Sequence, residues 1–186
     1  MKKGLMFGAV LLILASCVET KKGDAEKDGL AETRGTQIDV GTVGDGTSRH
    51  SLELIGLFGD TLYFVYENNA VGGLACGDLI SVEYTKDDDE LNAQYIVNLT
   101  TLCNLWQESD EAGNYSFKLE DDGSATITGF DDVYDRWCIM NGQLNLADEH
   151  SDNNKKFDIV LLTEDSLVLK SEEDDVEIRL AASGNV

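Results

Sequence analysis

The chain contains no proline. Proline is one usual guard against edge-to-edge pairing of β-strands, so any sheet here must blunt its edges with charge instead. Bases are scarce: 14 Lys and Arg stand against 36 Asp and Glu, for a formal charge of −22. Such a surface repels phosphate backbones, and no basic face is concentrated enough to bind nucleic acid. It also repels anionic lipid headgroups, so any membrane attachment must come from something other than basic charge. Histidine occurs twice, at His50 and His150. Neither flanks a cysteine or a second histidine at ligand spacing, which argues against zinc. The sequence also lacks a Gly-x-Ser-x-Gly elbow and a phosphate-cradling glycine loop. Carboxylates are so numerous that some pair must lie close by chance, which cannot specify a glycosidase. The expectation is therefore a noncatalytic protein with no cofactor and no metal. A cryptic carboxylate-dependent hydrolase is the rival furthest from it.

Long apolar runs are missing after the N-terminus, and the one at the N-terminus is short. Residues 1–16 read MKKGLMFGAVLLILAS, with Lys2 and Lys3 ahead of the mostly apolar stretch Leu5 to Leu14. A membrane-spanning helix needs roughly 20 apolar residues; this length suits a signal h-region. Leu14-Ala15-Ser16-Cys17 resembles a bacterial lipobox. The resemblance implies cleavage before Cys17 and lipidation of its sulfur, with several acyl chains giving a lasting membrane anchor. Val18 follows that cysteine where an aspartate would favour inner-membrane retention, so the expected address is the cell envelope, at the outer membrane. Residues 17–35 are rich in Lys, Glu, Asp, Gly and Thr without an apolar period, as a flexible tether would be.

What remains, 42% hydrophobic in the chain as a whole, alternates with period two. Leu62, Phe64 and Tyr66 alternate with Thr61, Tyr63 and Val65; Ile80, Val82 and Tyr84 alternate with Leu79, Ser81 and Glu83. Tyr115, Phe117 and Leu119 repeat the habit, as do Phe157, Ile159 and Leu161. Alternation marks strands with one buried face. Clusters such as Asp122-Gly123 and Asn141-Gly142 supply the turns between them. The expected fold is all-β: a small barrel-like unit over 36–100, then a compact antiparallel barrel over 101–183, with one larger barrel as the alternative. A short helical turn is expected around Asn68–Ala75.

The second half carries a family resemblance. Phe117-x-Leu119-x-x-Asp122-Gly123-x-Ala125, then Tyr134-x-x-Trp137, Gln143-Leu144-x-Leu146, Asp165-Ser166-Leu167-Val168-Leu169-Lys170 and Glu177-Ile178-Arg179 resemble the lipocalin-like lipoprotein domain common in Bacteroidetes. The upstream segments GTV (41–43), GDTLYF (59–64) and GDLISV (77–82) look like the small β domain that precedes this module in some members. The resemblance implies architecture more than activity. Its departures are Asn104-Leu105-Trp106 in place of Gly-x-Trp and an acidic stretch after Leu146.

Short strands in some 80 residues favour a packed barrel over a ligand cup, with an apolar cleft between the units as another ligand place. Trp106 and Trp137 are read as core aromatics, or alternatively as ligand-facing indoles. The acid runs Asp87-Asp88-Asp89-Glu90 and Glu172-Glu173-Asp174-Asp175 lack the layout of a calcium loop and read as solvated turns. Cys76, Cys103 and Cys138 leave open one disulfide among three pairings or three buried thiols. Asp60-Thr61-Leu62 and Asp165-Ser166-Leu167 resemble the O-glycan acceptor of Bacteroidetes periplasmic proteins, making Thr61 and Ser166 candidate acceptors. The functional expectation is a lipid-anchored binding or interaction module for an envelope protein. A carrier of a small hydrophobic ligand is the alternative.

Overall fold

The computed structural model describes residues 36–67, 69–108 and 114–183. The segments expected to be a signal sequence (1–16) and a tether (17–35, with Cys17) lie wholly outside them. The regular structure of the described residues is almost all strand.

The first sheet is built from β1 (Gln37–Val43), β2 (Ser51–Gly56), β3 (Thr61–Val65), β4 (Ala70–Val71), β5 (Leu79–Asp87) and β6 (Glu90–Asn98). The long strands run in the order β3-β2-β1-β5-β6 with antiparallel neighbours. β3 then meets β6 in parallel through Phe64↔Leu91 and Val65↔Asn92. The sheet thus curls onto itself as a five-stranded Greek-key barrel with the strand order of an OB-fold. Its core holds Val43, Leu52, Leu54, Phe64, Ile80, Val82 and Ile96. Each of these sits on the inward parity of its strand, and Phe64 and Tyr84 pack edge to face at 4.9 Å.

The second sheet contains β7 (Leu105–Glu108), β8 (Ser116–Leu119), β9 (Ala125–Thr128), β10 (Arg136–Met140), β11 (Gln143–Ala147), β12 (Asn154–Leu162), β13 (Ser166–Ser171) and β14 (Glu177–Ala182). Every strand pairs antiparallel with its chain neighbour from β7 to β9 and from β10 to β14, and β14 returns to β7. The two free edges meet through a bridge between Ser124 and Arg136. There Ala125 N donates to Asp135 O and Trp137 N to Gly123 O, both at 2.9 Å. The result is a nearly closed eight-stranded up-and-down barrel, the architecture of lipocalins. Trp106, Phe117, Phe157, Leu144, Leu146, Leu167, Leu169, Ile178 and Leu180 occupy its interior. Phe130 packs against that core, within 6.0 Å of Phe117 and 6.1 Å of Phe157 between ring centres.

The helical turn expected around Asn68–Ala75 is not there. Gly72 (φ 90°) and Gly73 (φ 83°) hold left-handed conformations that end any helix, and Ala70–Val71 instead pair in parallel with β6. The helix found among the described residues is α1 (Leu99–Leu102), capped by Asn98, whose side chain accepts from Thr101 N at 2.9 Å.

The two barrels share a seam along β5 and β6. On β5 the inward residues Ile80, Val82 and Tyr84 serve the first core, yet the outward Ser81 and Glu83 are also buried. Val97 on β6 belongs to the core of the second barrel. The hairpin Asn141-Gly142, between β10 and β11, reaches this face, and Gly142 N donates to Glu83 Oε1 at 3.1 Å.

Candidate interaction face

Eleven large apolar side chains remain exposed among the described residues, and six of them lie on β1, β2, β3 or the β2–β3 turn: Ile38, Ile55, Leu57, Phe58, Tyr63 and Val65. Isolated exposed hydrophobics need no explanation, whereas a contiguous set does. Register places Ile55, Tyr63 and Val65 on one outer wall, interleaved with Thr61, Glu53 and Ser51. Ile55 pairs with Thr61, Glu53 with Tyr63 and Ser51 with Val65, while Ile55 also faces Thr42 of β1. Leu52, Leu54 and Phe64 point inward, so alternation puts Ile38, Val40, Ile55, Tyr63 and Val65 on the outer wall. The β2–β3 turn, held by Gly56 N to Asp60 O at 2.8 Å, leaves the Phe58 side chain 99% exposed.

Tyr63 is the fixed point of this face. Its ring is 60% exposed, but its hydroxyl donates to Glu53 Oε1 at 2.9 Å. Glu53 Oε2 accepts Gly46 N at 2.7 Å, so one carboxylate ties the ring to the β1–β2 loop. Gly44 and Gly46 leave the room that Glu53 occupies, since a Cβ at either would run into its carboxylate. The hydrogen bond to Glu53, followed by its negative charge, raises the Tyr63 phenol above its ordinary value. On its other side Tyr63 borders an open hollow of about 650 Å³ with Asp87, Asp88, Asp89, Glu90 and Leu91. Asp88 there adopts φ 53° at the tip of the β5–β6 hairpin.

The residues singled out from the sequence lie elsewhere. Cys17 is outside the described residues. Trp106 is fully buried and its Nε1 donates to Leu102 O at 2.9 Å. Trp137 is 8% exposed and its Nε1 donates to Glu120 O at 2.9 Å. Both indoles sit in the core of the second barrel. Thr61 is exposed at the start of β3, with its hydroxyl on the candidate face. Ser166 is half-buried at the start of β13, with its hydroxyl hydrogen-bonded to Asp165. These two acceptor candidates therefore differ in accessibility.

Cys76 is exposed, and Cys103 and Cys138 are half-buried. His50 and His150 are exposed in turns. Among the described residues no group of three or more His, Cys, Asp and Glu is placed to hold a metal ion. The second acid run is partly neutralised, by Lys155 to Asp174 at 3.3 Å and Lys170 to Asp175 at 2.7 Å.

A cleft of about 390 Å³ does lie beside the seam, lined by Gly72–Ala75, Asp78, Thr100, Thr101, Asn104 and Glu164. Its lining mixes polar and apolar surface about equally. Its Asp78 Oδ2 is engaged by Ala75 N at 2.9 Å and Asn98 Nδ2 at 2.7 Å, so that carboxylate ties the turn before β5 to the end of β6.

Sequence reasoning passed over Tyr63, although a signal was present. The strand TLYFV is apolar on both parities, and one buried face accounts for only half of it. No family model, curated protein or solved structure matches the chain.

Proposed function

We propose that this chain is a noncatalytic binding module held at the cell envelope, at the outer membrane, by lipid on Cys17. In this reading it is a lipoprotein of the lipocalin-like kind that its second half resembles, and the first barrel carries the contact surface. The observation that carries the proposal is the uncovered apolar face on β1–β3 with Tyr63 locked at its centre. A rigid aromatic presented to solvent loses little conformational entropy when it is bound. The five-stranded topology adds support, because this kind of barrel commonly binds on the face of its second and third strands. The filled interior of the second barrel favours contact on an outer wall over carriage of a small ligand.

Two measurements test the two halves of this reading. Metabolic labelling with a fatty acid should mark the full chain and vanish in Cys17→Ala; label that persists in the variant sinks the anchor. A photoreactive residue placed at position 63 in cells should give a discrete adduct that is absent when the same group sits at Val160, an exposed position on the second barrel. Identical adducts at both positions, or none at 63, would remove the binding face.

A further inference from the structure

We infer that the partner of this face is a cationic protein segment that inserts apolar or aromatic side chains between basic ones. The inference rests on the binding-module reading and supplies its partner chemistry. The centre of the face, at Ile55, Tyr63 and Val65, offers apolar contact, and covering it with apolar groups removes apolar surface from water on both sides. The flank beyond Tyr63 is the Asp87–Glu90 hairpin, so a side chain reaching past the ring arrives among carboxylates. Lys86 lies one residue before that run, and Arg49 and His50 lie beyond the Val65 end. The basic groups of the partner are therefore directed to the hairpin side.

The chain as a whole carries −22, which repels a second copy, a nucleic acid and an anionic bilayer alike while steering a cation inward. A glycan would also stack on an aromatic ring. Here, however, aliphatic Val65 follows it on the same face of β3, Ile55 lies diagonally across on β2, and its hydroxyl is already spent on Glu53. Those features favour peptide side chains.

The test uses the full chain in neutral detergent micelles. The probe is a 12-residue peptide alternating Lys and Tyr, with Lys–Ser and Glu–Tyr peptides of equal length as controls. Calorimetry should show saturable binding of the Lys–Tyr peptide at least tenfold tighter than either control, and amide exchange should slow over residues 51–65. Tyr63→Ser and Ile55→Thr should each weaken it about tenfold with an unchanged melting temperature. Joint neutralisation of Asp88, Asp89 and Glu90 to Asn, Asn and Gln should flatten its salt dependence. Val160→Ser should leave it unaltered.

Equal binding of the Lys–Ser peptide, or indifference to Tyr63→Ser, overturns the inference. So does tighter binding of maltohexaose or of phosphatidylglycerol vesicles. If one of those other probes binds and is lost in Tyr63→Ser, the binding-module reading survives and only the partner chemistry fails. If no probe of any class depends on Tyr63, both fail.

Discussion

Cys76 and Cys103 carry the same thiol in environments that separate their chemistry. Cys103 packs against the core of the second barrel, and its thiol is pushed up to about 12, first by burial and then by Asp121, Glu120 and Asp122. Those three acids form the turn between β8 and β9, where Gly123 takes φ 81° and Asp122 Oδ1 accepts Ser124 N at 2.9 Å. This acidic run is thus a hairpin turn, and its charge adds to the burial that raises the pKa of a neighbouring thiol. Only the thiolate reacts with an alkylating agent. At pH 8 a thiol with that pKa is ionised to roughly one part in ten thousand. Iodoacetamide at pH 8 should therefore label exposed Cys76 promptly and spare Cys103 until the chain is unfolded in guanidinium. Peptide mapping reads the outcome, and equal labelling of the two in the native protein would refute the assignment.

Among the elements, the β10–β11 hairpin shows what a turn must satisfy when its tip is also a contact. Asn141 (φ 54°) and Gly142 (φ 70°) supply the paired left-handed residues of a type I′ turn. A Cβ on Gly142 would also collide with the Tyr95 ring across the seam. Gly142→Ala should then cost about 1–2 kcal/mol for the backbone conformation alone, plus a steric contribution. Tyr95→Ala in the same background should restore the steric part and leave the backbone part. A urea-unfolding double-mutant cycle separates the two, and strict additivity would show that the ring is not in the way.

The turns themselves were legible from the sequence, because Asn-Gly and Asp-Gly act locally. So was the parity of β5 and β8, because alternation is a local property of a strand. What the alternation could not show is whether the polar parity meets water. Ser81 and Glu83 look like a solvated face and are instead covered by the other barrel. Tyr63 and Val65 look like a second core face and are instead bare. Both outcomes depend on how remote segments meet, which no window of ten residues contains. The segment around Gly72 failed for the opposite reason, because two adjacent left-handed glycines overrode weak helical expectations.

Across the whole molecule, the coupling of the two barrels turns on a carboxylate. Glu83 is 2% exposed, and its carboxylate accepts from the amides of Gly142 and Asn141. On β1 its register partner is Ile38, and on β6 it is Tyr95. Burial raises its pKa and the two amides oppose that shift without cancelling it. A folded value above the unfolded one means that the folded state holds its proton more tightly. The stabilisation from this group is therefore complete below the unfolded value, near pH 4, and is lost as pH rises through the folded value. In its ionised form Glu83 keeps its hydrogen bonds and carries a desolvation cost.

Glu83→Gln retains an acceptor for the amides and removes the charge. It should raise the melting temperature at pH 7 by about 2–4 °C, the change that ~1 kcal/mol produces in a chain of this size. It should have little effect at pH 4, where the wild-type side chain is largely protonated. Glu83→Leu should lower the melting temperature at both pH values, because it removes the acceptor of the Gly142 and Asn141 amides, at about 1 kcal/mol each. The pair of variants distinguishes charge from hydrogen bonding at the seam. A Gln variant less stable than the wild type at pH 7 would mean that the ionised carboxylate is itself what holds the barrels together.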